Sequence, residues 1–402
     1  MVKRVDEPTY QKFITGPIKR FHESNHCFSR GDRQEIMSHR EMAEKSLEKQ
    51  TKHIPGYTQE DGALFRAARF VDYTLRRVAL TREIPETLGA GDRPQNANGI
   101  EIPPAKLTVN DPAEMTSKIK EVAKYFLGAD LVGICKLNLN WIYSNWGTHT
   151  VRRNAAHEEG APIEMPVEYK WAIVMAIQED YENLKRSPAQ TPTADLGYSK
   201  MAWITSSLAV FIRELGYKAI PLGNEMALSI PMAIDAGLGE LGRNGILITE
   251  EFGPRVRLCK VITDLPLEPD KPVDLGVQAF CETCEMCADK CPGQAIKHGE
   301  RTDKPWNISN SEGVLKWPIN GENCITFWVR NGCSCANCIM VCPWNKPHKG
   351  WSAWVHKLVR WIIARTPAFN RLFVKIDKLL GYGRHVIKPF PQLGKYGNGY
   401  VS

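Results

Sequence analysis

The stretch Cys281-Glu-Thr-Cys284-Glu-Met-Cys287-Ala-Asp-Lys-Cys291-Pro292 decides how the C-terminal part of this chain folds. A second run, Cys335-Ala-Asn-Cys338-Ile-Met-Val-Cys342-Pro343, follows it. The C-x2-C-x2-C-x3-C-P spacing of the first run lets three thiolates converge on one [4Fe–4S] cubane from a single loop, while the fourth points at a neighbouring cluster. Two runs with crossed fourth ligands predict two clusters that exchange electrons.

Other uses of these cysteines fit the spacing less well. Disulfides do not require an x2/x2/x3 run that ends in proline. A zinc ribbon has two C-x2-C pairs at longer separation, rather than four cysteines within eleven residues of sequence. The pattern therefore favours two iron–sulfur clusters, held in a module similar to a bacterial ferredoxin.

The crossing rule assigns the ligands. It gives one cluster Cys281, Cys284, Cys287 and Cys342. It gives the other Cys291, Cys335, Cys338 and one further cysteine. In a plain ferredoxin this last ligand would be at position 332, which is a glycine here, so Cys324 and Cys333 are the candidates. Cys333 is too close in sequence to Cys335 to reach the same cubane well, which favours Cys324.

Composition agrees with a globular protein that does not depend on its clusters for a core. The chain has 402 residues, 43% of them hydrophobic and 24% charged, with a net charge of +7. Its basic residues are dispersed, except near the C-terminus, so we expect no nucleic-acid partner. No run of 18 or more apolar residues predicts a transmembrane helix, and the N-terminus shows no signal peptide.

The order of patterns along the chain predicts four parts. These are an N-terminal region covering the core (1–110), a catalytic core (111–270), a two-cluster module (271–348) and a C-terminal helical extension (349–402). The Asp111-Pro112 sequence predicts the start of a helix. Further predictions are buried strands at 131–137 and 171–177, a helix at 194–215, and a strand pair formed by 245–249 and 256–264.

The stretch Gly237-Leu-Gly239-Glu-Leu-Gly242-Arg-Asn244-Gly245 contains a G-x-G-x-x-G sequence. It follows a helix rather than a strand, so it is a poor dinucleotide fingerprint. Two interpretations stay open. The glycines serve a loop with positive φ angles, or Gly237, Gly239, Gly242 and Asn244 let the backbone approach a large flat cofactor closely.

Several motifs together resemble the reductive dehalogenases, the corrinoid iron–sulfur enzymes of organohalide respiration. They are Asp195-Leu-Gly-Tyr198, Pro221-Leu-Gly-Asn224, 236–245, Phe252-Gly-Pro-Arg255-Val-Arg257 and Thr263-Asp-Leu-Pro266, followed by the two cysteine runs. The resemblance covers nearly the whole chain. The early cysteine of the family's second motif, about ten residues before its C-x2-C pair, matches Cys324.

This resemblance implies an α/β (α+β) core similar to the nitroreductase-like fold, which binds cobalamin base-off, without a histidine ligand to cobalt. By motif position, the family's catalytic tyrosine, basic residue and asparagine are Tyr198, Arg257 and Asn224, with Arg255 as a competitor for Arg257. A tyrosine suits the role of proton donor because it stays protonated at neutral pH. A neighbouring arginine stabilises the phenolate that remains.

The resemblance also implies an activity and a location. The enzyme would replace halogen by hydrogen on a small halogenated organic substrate. The chain lacks the insertions of longer family members. In this respect it resembles the enzymes that act on chlorinated methanes and ethanes. Its N-terminus, from Val5-Asp-Glu-Pro8 through Phe28-Ser-Arg30, resembles a form processed after twin-arginine export. That implies a peripheral place on the outer face of the cytoplasmic membrane, a separate membrane anchor protein and an upstream electron donor, and it leaves room for a homodimer.

Two other functions compete with this interpretation. The epoxyqueuosine reductases of tRNA modification share the corrinoid and the paired clusters. A tRNA substrate, however, requires a basic phosphate-binding face. The aspartate that typically serves as the acid in those enzymes is also missing from this chain. A ferredoxin-like electron carrier without chemistry of its own would not need about 270 residues before its clusters. A bound corrinoid excludes the carrier, and halide release separates the two enzymes.

Overall fold

The computed structural model describes residues 3–32, 38–72, 105–151, 158–347, 352–381 and 383–386. Its strands are β1 (Lys3–Arg4), β2 (Leu131–Lys136), β3 (Trp171–Gln178), β4 (Ala219–Leu222), β5 (Glu240–Leu241), β6 (Leu247–Ile248), β7 (Val256–Thr263) and β8 (Val273–Asp274). The helices before the central sheet and within it are α1 (Cys27–Asp32), α2 (His39–Thr51), α3 (Gln59–Ala68), α4 (Pro112–Glu121), α5 (Thr148–Val151), α6 (Tyr181–Leu184), α7 (Pro192–Glu214) and α8 (Ser229–Asp235). Those after it are α9 (Val277–Thr283), α10 (Met286–Asp289), α11 (Gly321–Asn331), α12 (Asn337–Met340), α13 (Ser352–Ile363) and α14 (Asn370–Leu380).

The core is a four-stranded antiparallel sheet in the order β2-β3-β7-β4. Successive side chains of a strand point to opposite faces, so the side chains of β3 alternate between two hydrophobic clusters. Ile173, Met175 and Ile177 enter the hydrophobic cluster on one face, and Ala172, Val174 and Ala176 enter the cluster on the other. The two inner strands are therefore buried on both sides, which explains their nearly continuous apolar sequences.

Helices cover both faces of this sheet. The long helix α7 contributes Ile204, Leu208 and Ile212 to the first cluster, and α8 contributes Met232 and Ile234 to the second. The resulting three-layer arrangement, with an antiparallel sheet, is a mixed α/β architecture. It places the N-terminal part of α7 and one face of β7 next to each other, and the candidate catalytic residues lie there.

Local sequence signals account for several boundaries. The Asp111 side chain accepts hydrogen bonds from the backbone N–H groups of Ala113 and Glu114, as an N-cap does, with Pro112 in the first turn. The predicted strands at 131–137 and 171–177 are confirmed as β2 and β3 within one residue at each end. The predicted helix at 194–215 corresponds to α7.

The predicted strand pair of 245–249 with 256–264 is wrong. Strand β7 does form, but both of its edges are occupied, because it pairs with β3 on one side and β4 on the other. Strand β6 pairs instead with β5, which precedes it. Between the two segments, the turn contains an isolated bridge from Thr249 to Gly253. Turn residues next to two apolar runs predicted a hairpin, but the buried central position of β7 favoured longer-range partners.

The remaining parts pack around the sheet. Among the N-terminal residues, Tyr10 donates a hydrogen bond to Asp235 at the end of α8 (2.7 Å), and β1 pairs with β8. Residues 273–347 carry both cysteine runs. In the part of the chain that the structure describes, no helix is both long and apolar enough to span a bilayer. Parts of the predicted regions 1–110 and 349–402 lie outside the described residues, including 73–104 and 387–402.

Gly253 provides a test of how the sheet joins the cluster module. Its φ is +58°, and a Cβ there would lie 2.3 Å from the backbone oxygen of Trp344. We predict that Gly253→Ala lowers the free energy of unfolding by roughly 2 kcal/mol or more, through backbone strain and the clash together. Denaturant unfolding followed by circular dichroism measures this.

Two matched variants separate the causes. Gly128→Ala should cost less, because Gly128 has a φ of +87° but nothing within 4 Å of the added carbon. Gly16→Ala meets nothing within 4 Å and has no positive φ, so it should be close to neutral. Equal stabilities of the three variants would contradict the proposed contact.

Candidate active site and cluster-binding cysteines

The three residues predicted as the catalytic set come together in space. The Asn224 Nδ2 group donates to the Tyr198 hydroxyl over 3.3 Å, and Nη1 of Arg257 donates to the same hydroxyl over 3.4 Å. The guanidinium carbon of Arg257 lies 4.9 Å from the centre of the Tyr198 ring. Tyr198 is half-buried and Asn224 is exposed, so the hydroxyl is accessible from solvent. Three distant sequence segments thus converge on one phenol group.

The fold brings Arg257 and Tyr198 together through the pleat of β7 and a glycine. Arg257 lies on the same face of β7 as Cys259 and Val261, which pack against α7. A Cβ at Gly197 would lie 2.9 Å from Cγ of Arg257. Since any larger residue at 197 would obstruct the arginine, the Leu-Gly-Tyr sequence lets the guanidinium reach the next residue, Tyr198.

A buried carboxylate holds Arg257 in this position. Glu179 is fully buried at the end of β3, and its Oε1 lies 2.5 Å from Nε of Arg257. Burial is the largest single influence and lowers the pKa of Arg257, but the interactions with Glu179, Tyr198 and Asp195 together outweigh it. The net result is a pKa of Arg257 above its ordinary value, so the cation next to the phenol is permanent.

A second cation, which sequence reasoning missed, lies on Tyr198. The guanidinium carbon of Arg69 is 4.6 Å from the ring centre, and its Nη1 group bonds to Asp195 over 2.9 Å. Burial raises the pKa of Asp195 to about 6, although Arg69 partly offsets it. Arg69 follows α3, more than 120 residues before Tyr198, and no local pattern connects the two. Glu179 could have been suspected from the sequence, but only weakly, because it is an acidic residue directly after a buried strand.

Asn224 is positioned by a buried lysine on the opposite face of β7. Lys260 is fully buried, and its ammonium group donates to the Gly223 carbonyl (2.7 Å), the Ala227 carbonyl (3.0 Å) and the Ser229 hydroxyl (2.9 Å). Burial lowers the pKa of Lys260 to about 8, and Glu225 partly offsets this. These three hydrogen bonds fix the loop that carries Asn224 to the sheet.

Arg255, the alternative candidate to Arg257 for the basic residue, makes contacts of a different kind. Arg255 is fully buried and donates to the backbone carbonyls of Glu179 (3.0 Å) and Lys346 (3.3 Å). It joins the sheet to the end of the cluster module. Removing it would leave buried carbonyl groups without donors, so a substitution at Arg255 would damage the fold rather than report on the chemistry.

The first group of cysteines lines one small cavity, together with Arg243, Asn244, Phe280 and Trp344. The group is Cys281, Cys284, Cys287 and Cys342. Burial raises the pKa of Cys281 to about 12 and that of Cys284 to about 11, because the charged thiolate is poorly solvated there. Four buried thiols around one cavity are a donor set that suits a [4Fe–4S] cluster, whose iron compensates the thiolate charge.

The second group forms around Cys338, which lies close enough to interact electrostatically with Cys324, Cys335 and Cys291. Cys338 also interacts with Cys287 of the first group, so the two sites are neighbours. Cys333 lies elsewhere. Its sulfur is 3.3 Å from the Tyr57 hydroxyl and 3.3 Å from the Pro188 carbonyl oxygen. This placement supports Cys324 as the fourth ligand, and the assignment itself stays a prediction.

The glycines of the 237–245 segment are explained by packing within the chain. Gly237 has a φ of +71°, and a Cβ there would lie 2.4 Å from the Lys271 carbonyl oxygen. Added carbons at Gly239 and Gly242 would meet Ile248 at 2.2 and 2.6 Å. Asn244 lines the first cysteine cavity. The contact of these four residues with a corrinoid stays a prediction, since the chain itself fills the space that the glycines leave.

The second cysteine group lies next to the start of α7. The Ser187 hydroxyl is 3.8 Å from the Cys335 sulfur and donates to Asn337 (2.7 Å) and accepts from the Ala336 N–H group (2.8 Å). Only a short segment separates Ser187 from α7, which carries Asp195 and Tyr198. The second cysteine group is therefore joined directly to the element that carries Tyr198, the candidate catalytic tyrosine.

The ligand assignment can be tested with a pair of serine variants. We predict that Cys324→Ser loses iron from one cluster, because its thiol belongs to the second group, whereas Cys333→Ser keeps both clusters. Iron and sulfide analysis with electron paramagnetic resonance of the reduced protein measures this. If Cys333→Ser lost a cluster while Cys324→Ser kept both, the assignment would be wrong.

Comparison with known proteins supports this organisation. A family described as "4Fe-4S double cluster binding domain" matches residues 280–345. The tetrachloroethene reductive dehalogenase of Desulfitobacterium hafniense is 40% identical over 304 residues, which cover 67% of this chain and 54% of that protein. The enzyme of the same name from Sulfurospirillum multivorans is 38% identical over 296 residues, covering 68% and 58%.

The fold gives the same result. The solved structure of a catabolic reductive dehalogenase superposes with a TM-score of 0.73 at 25% identity, covering 96% of this chain and 50% of that one. The chain thus spans about half the length of the relatives it matches. By sequence and by fold, it is a homologue of the reductive dehalogenases.

Proposed function

We propose that this chain replaces halogen by hydrogen on a small chlorinated aliphatic compound, using base-off cobalamin and two [4Fe–4S] clusters, as a terminal reductase of anaerobic organohalide respiration. The observation that carries the proposal is the convergence of Tyr198, Arg257 and Asn224 on one accessible hydroxyl, in an element joined to the second cysteine group. A solved relative that superposes with a TM-score of 0.67 at 26% identity is described as B12-dependent.

The overall reaction sets what the protein must supply. Conversion of a carbon–halogen bond into a carbon–hydrogen bond consumes two electrons and one proton and releases a halide ion. Cobalamin, when bound, would supply the strong reductant that the carbon–halogen bond requires. The two cysteine groups hold the clusters through which electrons arrive singly. The remaining requirement, a proton delivered at the reacting carbon, belongs to the side chains of this chain.

Tyr198 is the proton donor in this proposal. Its hydroxyl is accessible, and Asn224 fixes its orientation by a hydrogen bond to the phenol oxygen. After the proton leaves, the phenolate lies 3.4 Å from Nη1 of Arg257, with Arg69 over the ring. These cations stabilise the phenolate, which lowers the barrier to proton transfer. Glu179 and Asp195 keep the two arginines in place through ion pairs.

Two observations bear on the substrate class. The matched curated enzymes are named for tetrachloroethene, a chlorinated two-carbon compound. We place chlorinated methanes and ethanes first, because the chain lacks the insertions of longer family members and so resembles the members that act on these compounds, and chloroethenes second. A panel of such compounds decides between these classes.

The proposal extends to location and partners. The enzyme is exported by the twin-arginine route as a folded, cofactor-loaded protein and is peripheral on the outer face of the cytoplasmic membrane. It works with a separate membrane anchor protein and an upstream electron donor, and it forms a homodimer. The support is the resemblance of the N-terminal residues to a processed family member. Fractionation of native cells and analysis of the precursor sequence test these statements.

The activity is tested with protein reconstituted anaerobically with iron, sulfide and cobalamin. We predict about eight irons and one corrinoid per chain, from two cubane clusters and one cobalamin, and halide release from chlorinated methanes or ethanes when a strong chemical reductant is added. Ion chromatography measures the halide. Zinc in place of iron, or reduction of epoxyqueuosine in tRNA without halide release, would overturn the proposal.

The role of Tyr198 is tested by Tyr198→Phe, which keeps the ring and removes its acidic proton. We predict normal iron and corrinoid content and dehalogenation slower by roughly a hundred-fold or more, as for the loss of a general acid. Arg257→Leu should also lose activity, because the phenolate is no longer compensated.

Tyr217→Phe is the matched control. The Tyr217 hydroxyl donates to the Leu107 carbonyl (2.7 Å) at the other end of α7. Its loss removes one hydrogen bond outside the site, so turnover should stay at the wild-type level. A Tyr198→Phe enzyme with full cofactor loading and near wild-type turnover would show that the proton comes from another group.

A further inference from the structure

The two helices α13 and α14, here called the C-terminal helix pair, carry apolar residues on two opposite faces. Their inner faces are accounted for. Ile363 and Val374 are buried in the hydrophobic cluster that contains Phe280 and Trp344 next to the first cysteine group. Lys346, from the end of the cluster module, forms a buried ion pair with Asp377. The helix pair is therefore attached to the module by a complete packing surface.

The outer faces are also apolar, and they are exposed. In α13, Trp354, Leu358 and Trp361 follow each other at spacings of four and three residues, which places them on one face of the helix. Leu372, Ile376 and Leu379 repeat the same spacing in α14. Trp354 is 63% exposed and Leu379 is 82% exposed. A packed surface helix has one apolar stripe, so a second stripe opposite the first indicates another contact.

The charges of this segment are almost all positive. Residues 352–386 contain seven Lys or Arg and one acidic residue, Asp377, so they carry a net charge of +6 out of +7 for the whole chain. Asp377 is buried in its ion pair with Lys346 and does not reach the outer surface. Lys357, Arg371 and Lys375 are exposed in the two helices. The outer surface therefore combines apolar stripes with unbalanced positive charge.

We propose that the outer face of the C-terminal helix pair binds an anionic phospholipid bilayer directly, in addition to any contact with the anchor protein. Tryptophan, phenylalanine and leucine on one face with Lys and Arg beside them are the composition of helices that lie in the plane of a membrane interface. The apolar stripes enter the region between headgroups and acyl chains, and the basic residues attract the anionic headgroups. A soluble acidic partner would match the charge but would not require the tryptophans and leucines to be this exposed.

This contact would place the first cysteine group directly behind the membrane-facing surface. The hydrophobic cluster that anchors the helix pair includes Cys281, Cys284 and Cys342. A donor at the membrane would therefore meet a cluster that lies close to this surface. The lipid contact itself does not depend on the proposed reaction.

The test is co-sedimentation of the cofactor-loaded protein with vesicles. We expect binding to phosphatidylglycerol-containing vesicles and weak binding to pure phosphatidylcholine. Binding should fall between about 0.1 M and 1 M salt, since the screening length shrinks from roughly 10 Å to 3 Å. Replacing Trp354 and Leu358 together by Ser should weaken binding by roughly ten-fold or more, through lost apolar burial. Lys375→Gln should weaken it by roughly five-fold.

Matched substitutions elsewhere control for general effects. Trp203, which is 55% exposed on α7, and the exposed Lys124 lie outside the helix pair. Trp203→Ser and Lys124→Gln should leave vesicle binding unchanged. Iron content and circular dichroism show whether each variant is folded, and halide release is measured separately, so that failure of lipid binding and failure of the proposed reaction are distinguishable.

Three results would overturn the proposal. Equal binding to phosphatidylcholine and to phosphatidylglycerol vesicles would remove the role of the basic residues. Absence of binding to either lipid would exclude a direct lipid contact. A dimer in light scattering that dissociates in the Trp354→Ser, Leu358→Ser variant, without vesicle binding by the wild type, would assign the surface to a second copy of the chain.

Discussion

A buried guanidinium joins the first cysteine loop to the turn between β5 and β6. Arg243 is fully buried, and it donates to the backbone carbonyls of Cys281 (2.8 and 3.1 Å), Cys284 (3.0 Å), Lys297 (2.9 Å) and Gly299 (2.8 Å). Its backbone N–H group also points at the Cys281 sulfur (3.5 Å). A buried charge is tolerated only when its donors are satisfied, so the loop and the β5–β6 turn require each other. The geometry of the first cluster site is thereby fixed by the core rather than by the loop alone.

The candidate catalytic residues depend on a comparable use of buried charge around β7. Arg257 leaves one face of this strand and is held by Glu179, while Lys260 leaves the other face and holds the loop of Asn224. One strand therefore positions two of the three groups around the Tyr198 hydroxyl. Because β7 is paired on both edges, its register cannot shift without moving every one of these groups. The antiparallel sheet thus acts as the rigid support of the site.

The sequence predicted best where one local signal decided the outcome. The cysteine spacing predicted two groups of ligands, and the Asp111-Pro112 start predicted a helix, because each depends on residues close together in the chain. The pairing of β6 and β7 was wrong, since the choice of strand partners depends on burial across the whole sheet. Arg69 and Lys260 were missed for the same reason, because their partners lie in distant segments. The 237–245 glycines were recognised as important, yet Ile248 and Lys271 explain them without a cofactor.

The charge balance around Tyr198 connects these observations to the chemistry. Arg257 is paired with Glu179 and Arg69 with Asp195, so each cation has a carboxylate partner away from the phenol. The phenolate is therefore stabilised by the orientation of fixed charges rather than by an excess of positive charge. Since burial raises the pKa of Asp195 to about 6, this carboxylate is largely ionised at neutral pH and loses its charge as the pH falls below that value. Arg69 then keeps its ion pair with Asp72 (3.2 Å) but loses the charge of Asp195, which strengthens its hold on the phenolate and weakens its own attachment to α7. The two arginines are consequently not equivalent, because Arg257 is held by the fully buried Glu179, whereas Arg69 loses one of its two carboxylate charges in mildly acidic solution.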